Sequence, residues 1–180
     1  MKKVIVFLAE GFEEIEAISI IDILRRAEIS VTTVSIGKEK EVKGAHNVPV
    51  IADKLFDDVD FASYNMLVLP GGMPGAKNLK DHEGVRKQVE AFEKDKYVGA
   101  ICAAPMVLGS MGLLKGKRAT SYPGFEAELI EATITNEDVT VDGNIVTGKG
   151  PAFAMRFTLQ LVETLVGKAK RDEVASGLLL

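Results

Sequence analysis

Cysteine occurs once in the 180 residues, histidine twice and tryptophan not at all. A single thiol excludes an intramolecular disulfide. It also suits a reducing compartment, where that thiol stays free to react. The two histidines, His46 and His82, stand far from Cys102 and give none of the Cys/His spacings of a zinc site. Positive charge is not in surplus: the net charge is -4, and lysines and arginines are scattered. A nucleic-acid or anionic-membrane surface is therefore not expected, because both need a basic patch. No stretch approaches the roughly 18 apolar residues of a membrane helix. The Gly75–Lys80 stretch is not followed by the Gly-Lys-Ser/Thr of a phosphate loop. Repeats, low-complexity segments and linkers are absent. The expectation is one soluble, cytoplasmic domain over residues 1–180, with enough apolar residues (47%) for a full core.

What is there alternates. Val4–Ala9 is a continuous apolar run that stops at Glu10, short of the roughly 7–15 apolar residues and small-residue cleavage site of a signal peptide. It reads as a strand buried on both faces. Helical spacing over Glu13–Ala27 follows, then strand-like Val31–Ile36 and Met66–Leu69, a helix over Val85–Lys94 and a strand over Tyr97–Ile101. Pro105–Leu114 reads as a helix with proline in its first turn, where a missing N–H costs little. Asp142-Gly143 is the turn of a hairpin, and Phe153–Val166 is a last helix stopped by Gly167. Strands alternating with helices predict an α/β fold, a mostly parallel central sheet with helices on both faces. Ligands of such sheets gather at the carboxyl ends of the strands. That rule selects three loops: Glu10–Glu16, Pro70–Ala76 and Cys102–Pro105.

Cys102 leaves a buried strand and enters a helix within three residues, and Ala103 and Ala104 are small enough for a tight turn. This is the setting of a nucleophile elbow, expected to be strained and exposed. A helix start is also expected to lower the thiol's pKa. On the Glu13–Ala27 helix, Ile20, Ile23, Leu24 and Ala27 form one stripe, and Glu16 lies on it. An inward carboxyl should have a raised pKa; protonated, it donates a hydrogen bond to a thiolate, and ionised, it is a general base. Glu13 shares the stripe nearer the loop, and Glu14 points elsewhere; both are read as acidic residues favouring a helix N-terminus. Ile15 and Ile18 lie opposite the core stripe, which predicts a dimer contact or a covering loop. In the turn at Gly71 and Gly72, the Gly72 amide is expected to join the Ala103 amide in an oxyanion hole. His46 and His82 are read as solvated residues.

Four motifs in this order, Leu8–Glu16, Leu69-Pro70-Gly71-Gly72, Ala100–Pro105 and Gly148–Pro151, resemble the ThiJ/PfpI superfamily, in particular its DJ-one branch, over nearly the whole chain. The resemblance implies a flavodoxin-like three-layer sandwich, usually a homodimer, here through the Glu13–Ala27 helix. It implies a reactive Cys102 bonded to a buried, protonated Glu16, with Gly71, Gly72 and Ala103 around them. The activity it implies is cofactor-free and metal-free conversion of small dicarbonyls, or of glycated protein, of the glyoxalase III or deglycase kind. Redox sensing by Cys102 oxidation and a chaperone-like role are the alternative. Protease-like members carry His where Ala103 stands, and many members carry His where Tyr122 stands. These departures count against a peptidase or class I amidotransferase relative and leave Tyr122 as a hydrogen-bond donor in the pocket.

Overall fold

A computed structural model describes all of residues 1–180. The elements in chain order are β1 (Lys3–Leu8), α1 (Glu14–Arg26), β2 (Ser30–Ser35), β3 (Glu41–Lys43), β4 (Pro49–Ile51), β5 (Lys54–Leu55) and β6 (Met66–Leu69). They continue with α2 (Gly75–Asp81), α3 (Glu83–Asp95), β7 (Tyr97–Ile101), α4 (Pro105–Ser110), β8 (Arg118–Ala119) and β9 (Thr133–Ile134). The chain ends in β10 (Val139–Asp142), β11 (Ile145–Gly148), α5 (Ala154–Val166) and α6 (Lys168–Gly177).

The apolar runs dictate the centre. Every residue of β1 after Lys3, and all of β6, is buried, which only a strand covered on both faces achieves. Seven strands form one sheet in the order β10-β11-β7-β6-β1-β2-β5. All neighbours are parallel except the β10–β11 hairpin at one edge. From β1 the chain steps through α1 to β2, towards one edge; from β6 it steps through α2 and α3 to β7, towards the other. Right-handed crossovers then put α1 and α3 on opposite faces. Helix α5 packs against α1, and α2 packs against α3 and α4. Phe7, Ile20, Ile23, Leu24, Leu67 and Phe157 are among the fully buried side chains of this core, each worth about 1.5–3 kcal/mol. No helix is long and apolar enough to cross a membrane.

A smaller cluster of Leu8, Phe12, Ala17, Val42 and Ala52 lies outside the main core. It seats the β3–β4 hairpin on the start of α1, where the Gly11 amide donates to Lys43 O (2.8 Å) and the Ala45 amide to Phe12 O (2.8 Å). The hairpin leaves Ile15 and Ile18 uncovered, at 58% and 46% exposed. The covering loop admitted by the sequence is therefore not formed over them.

Several boundaries differ from the sequence reading by a residue or more, and three of them have a local cause. Helix α4 stops at Ser110 rather than Leu114, because Gly112 turns left-handed (φ 73) and the Leu113 amide returns to Leu108 O (3.1 Å). Asp142 is still in its strand, opposite Ile145, and the two turn residues are Gly143 and Asn144. Only Gly143 has positive φ (60), which suits a turn with glycine first. Helix α5 starts at Ala154, after a 3-10 turn over Pro151–Phe153.

Candidate functional site

Because β6 lies between β1 and β7, the loops after these three strands meet at one end of the sheet. Each brings one part. From β7 comes Cys102, whose amide donates to Gly148 O on β11 (2.9 Å). Its φ is +64, a region that costs an ordinary side chain about 1–3 kcal/mol. The strain expected of an elbow is present, but the exposure is not: only 8% of Cys102 is exposed. Ala103, Ala104 and the first turn of α4, which follow it, are buried as well.

From α1 comes Glu16, fully buried. Its Oε2 accepts from the Gly71 amide at 2.7 Å. Its Oε1 is buried with no hydrogen-bond partner; Glu16 Oε2 and Cys102 Cβ both pack against Gly71, and the carboxyl and the thiol shift one another's pKa. From the loop after β6 come Gly71 and Gly72. The Gly71 amide is taken by Glu16, so Gly71 positions the carboxyl rather than facing the sulfur. A side chain at Gly71 would place Cβ 2.6 Å from Cys102 Cβ and 2.8 Å from Glu16 Oε2. Gly72 has φ +86, and a Cβ there would strike the backbone of Gly11, Phe12 and Glu13. The backbone amides of Gly72 and Ala103 favour the charged form of the Cys102 thiol.

Electrostatics follow from this burial. Loss of solvent pushes Glu16 up to about 7, against the pull of the Gly71 amide and the thiol, and the Glu13 charge raises it further. Cys102 is pushed up to about 12, by burial first and by the Glu16 carboxylate second, while the Gly72 and Ala103 amides pull the other way. The lowered thiol expected at a helix start is thus reversed: α4 has only six residues, and burial plus a neighbouring carboxylate outweigh its partial charge. Once Glu16 is protonated the repulsion is gone. The pair titrates as a unit that exchanges one proton near neutrality.

Tyr122 is tied to the elbow by its amide, which donates to Cys102 O (2.8 Å). Its side chain is 46% exposed and, with Pro123, Lys149, Pro151 and Phe153, lines a cleft of about 220 Å³. Its ring lies against Gly150 in that wall. Neither histidine joins the pair. His82 caps α3 through Nδ1, which accepts from the Val85 amide (3.1 Å), and its ring packs on Phe56. His46 bonds Glu14 (Nδ1 to Oε2, 3.0 Å). Glu14 also accepts from the amides of His46 (2.7 Å) and Val48 (3.3 Å). It anchors the 44–48 turn, a role invisible from the helix face alone.

Comparison with known proteins bears on the family and the fold. The DJ-1/PfpI family model matches residues 2–164. Protein DJ-1 homolog A of Arabidopsis thaliana is 40% identical over 99% of the chain. The chain spans about half the length of that relative and of homolog B from the same plant (47% and 42%). A Schizosaccharomyces pombe protein named glutathione-independent glyoxalase DJ-1 is 33% identical, covering 99% of this chain and 98% of its own. A structure of oxidized Toxoplasma gondii DJ-1 superposes with a TM-score of 0.95 at 38% identity, covering 99% of this chain and 98% of that one. With a family match across most of its length and full-length relatives at this identity, the chain belongs to the DJ-1/PfpI family.

Proposed function

We propose that the protein converts small α-dicarbonyls to hydroxy acids without cofactor, using Cys102 as nucleophile and Glu16 as proton carrier. The observation that carries this is Cys102, held at positive φ, packed with the buried Glu16 carboxyl around Gly71, where the Gly72 and Ala103 amides favour the charged thiol. The Schizosaccharomyces pombe relative's name supports the substrate class. The sulfur adds to the aldehyde carbon of methylglyoxal, forming a C–S bond, and the new oxyanion takes up a proton. Glu16 carries the C1 proton to C2 while the hydroxyl proton on the C1 oxygen passes to the C2 oxygen, which leaves a thioester at C1 and a hydroxyl at C2. Water cleaves the C–S bond and gives lactate and the free thiol. The substrate's own carbons exchange oxidation states, so no external oxidant or reductant enters. The Gly72 and Ala103 amides are placed to hold the developing oxyanion. Glycated protein, the adduct such a dicarbonyl forms with protein side chains, is the larger substrate of this reading. The test is lactate formation from methylglyoxal, and glycolate from glyoxal, without glutathione. Stoichiometric dicarbonyl loss with no hydroxy acid would refute the reading.

A second reading is redox sensing at the same sulfur. It is favoured by the absence of any second cysteine to resolve a sulfenic acid and by the description of the Toxoplasma gondii structure as oxidized. Two peroxides each deliver one oxygen to sulfur and leave as water, and the sulfinate formed accepts from Glu16 and the two amides. Mild peroxide is expected to add two oxygens at Cys102, located by peptide mapping. Addition at methionines alone would count against it.

The exposed Ile15–Ile18 face of α1 is proposed as a homodimer contact. Ile15→Asp with Ile18→Asp is expected to halve the mass in sedimentation. A monomeric wild type, or an unchanged double variant, contradicts this.

A further inference from the structure

The reactive pair has a second carboxylate behind it. Glu13 immediately precedes α1, and its carbonyl accepts the first bond of that helix, from the Ala17 amide (3.0 Å). Three residues separate it from Glu16, and both are inward: Glu13 is 9% exposed and Glu16 not at all. One peptide joins them. The Glu13 amide donates to Gly71 O (2.9 Å), and the Gly71 amide donates to Glu16 Oε2 (2.7 Å). The start of α1 thus grips Gly71 from both sides and sets the two carboxylates around it.

The cation paired with Glu13 is a conditional one. His46 Nδ1 is 3.7 Å from Glu13 Oε2 and 3.0 Å from Glu14 Oε2. Oε1 of Glu14 accepts from the amides of His46 and Val48, so the 44–48 turn holds the ring against both acids. The ring pairs with them as a cation only when protonated. Its pKa is raised from the ordinary 6.5, first by the hydrogen bond to Glu14 and then by the Glu13 charge, towards the pH at which the reactive pair exchanges its first proton. The titratable groups that face Glu16 are Cys102, from the loop after β7, and Glu13. Those that face His46 are Glu13 and Glu14.

We propose that Glu13 is a positioning residue for the reactive pair, and that its charge, masked or unmasked by His46, sets the pH at which Glu16 yields its proton. This rests on the roles proposed above for Cys102 and Glu16. A nearby negative charge disfavours a second one, so an unmasked Glu13 holds the proton on Glu16. Protonated His46 offsets that charge and lets the proton leave at lower pH. As pH rises, His46 loses its charge while Glu16 is ionising, and the titration of the pair is spread over a wider range than that of one group. The same ion pair also pins the 44–48 turn, but a pin alone would leave the proton affinity of Glu16 unchanged.

The test is the pH profile of Cys102 alkylation by iodoacetamide, at low salt because screening weakens such effects. Wild type is expected to rise around pH 7. Glu13→Gln keeps the backbone bonds and removes the charge, and its midpoint is expected about 0.3 pH unit or more lower, as for a like-charged pair at this spacing. His46→Asn, at an exposed position, is expected to move the midpoint up. Glu16→Gln and Glu13→Gln/Glu16→Gln should coincide, both without a rise near neutrality. The proposal is overturned if the midpoint of Glu13→Gln stays or rises, if that of His46→Asn stays or falls, or if the double variant departs from Glu16→Gln. A rise near pH 7 that survives in Glu16→Gln removes the reactive pair and this proposal with it. An unshifted Glu13→Gln beside a Glu16→Gln without the rise removes this proposal alone.

Discussion

Cys102→Ser is expected to lower lactate formation from methylglyoxal by about a thousandfold or more, while moving the melting temperature by no more than about 4 °C. Serine keeps the size and the left-handed φ of +64, so the elbow, the Gly148 contact and the Glu16 hydrogen bonds persist. What is lost is a nucleophile that ionises. A hydroxyl needs a strong neighbouring base, and neither His46 nor His82 stands at the site. The readout has to be the hydroxy acid rather than loss of dicarbonyl. The 22 lysines and arginines consume methylglyoxal by glycation whether or not Cys102 is present. A variant that still releases lactate at a wild-type rate would remove Cys102 from the reaction.

Glu16→Gln is expected to change how stability depends on pH. In the folded protein Glu16 is held at about 7, against 4.5 for the ordinary group, chiefly by burial. Between these two values the folded state binds a proton that the unfolded state has released. Stability therefore falls as pH rises through that window. The contribution is fully present below about 4.5 and lost above about 7, and it amounts to about 3 kcal/mol. Glutamine keeps the same hydrogen bond, its carbonyl accepting from Gly71, but does not titrate. Urea unfolding at pH 4.5 and pH 8 is expected to show wild type losing about 3 kcal/mol relative to the variant over that interval. Parallel behaviour of the two proteins would show that Glu16 is not a buried, protonated carboxyl.

Much of this site is legible in the chain because it rests on local pattern. The stripe of Ile20, Ile23, Leu24 and Ala27 fixes which way Glu16 points, and the apolar runs at Val4–Leu8, Met66–Leu69 and Tyr97–Ile101 name the strands whose ends carry the loops. The order β7-β6-β1 then brings Cys102, Gly71 and Glu16 together, and that is a property of the sheet, which the four motifs of the family resemblance anticipated. What escaped depends on contacts distant in sequence. Burial of Cys102 comes from the turn into α4 and from α1 and the loop after β6 together, so a thiol expected exposed and acidic is enclosed and raised. Glu14 meets His46 across 32 residues, and no helix-face argument reaches that far. The Gly71 amide goes to Glu16 and it is the Gly72 amide that favours the charged thiol, a difference of one residue in a turn that periodicity does not resolve. Helix α6 buries only Val174 and strands β5, β8 and β9 have two residues each, too little apolar pattern to register.

The most direct test of the coupled Cys102–Glu16 pair is the rate at which iodoacetamide alkylates Cys102 as a function of pH, in wild type and in Glu16→Gln. The pair exchanges its first proton near pH 7, and the second is held to about 12. Wild type is expected to show a rise in rate centred near pH 7 that Glu16→Gln lacks. One rise centred near the ordinary thiol value of about 8.5, the same in both proteins, would contradict the account.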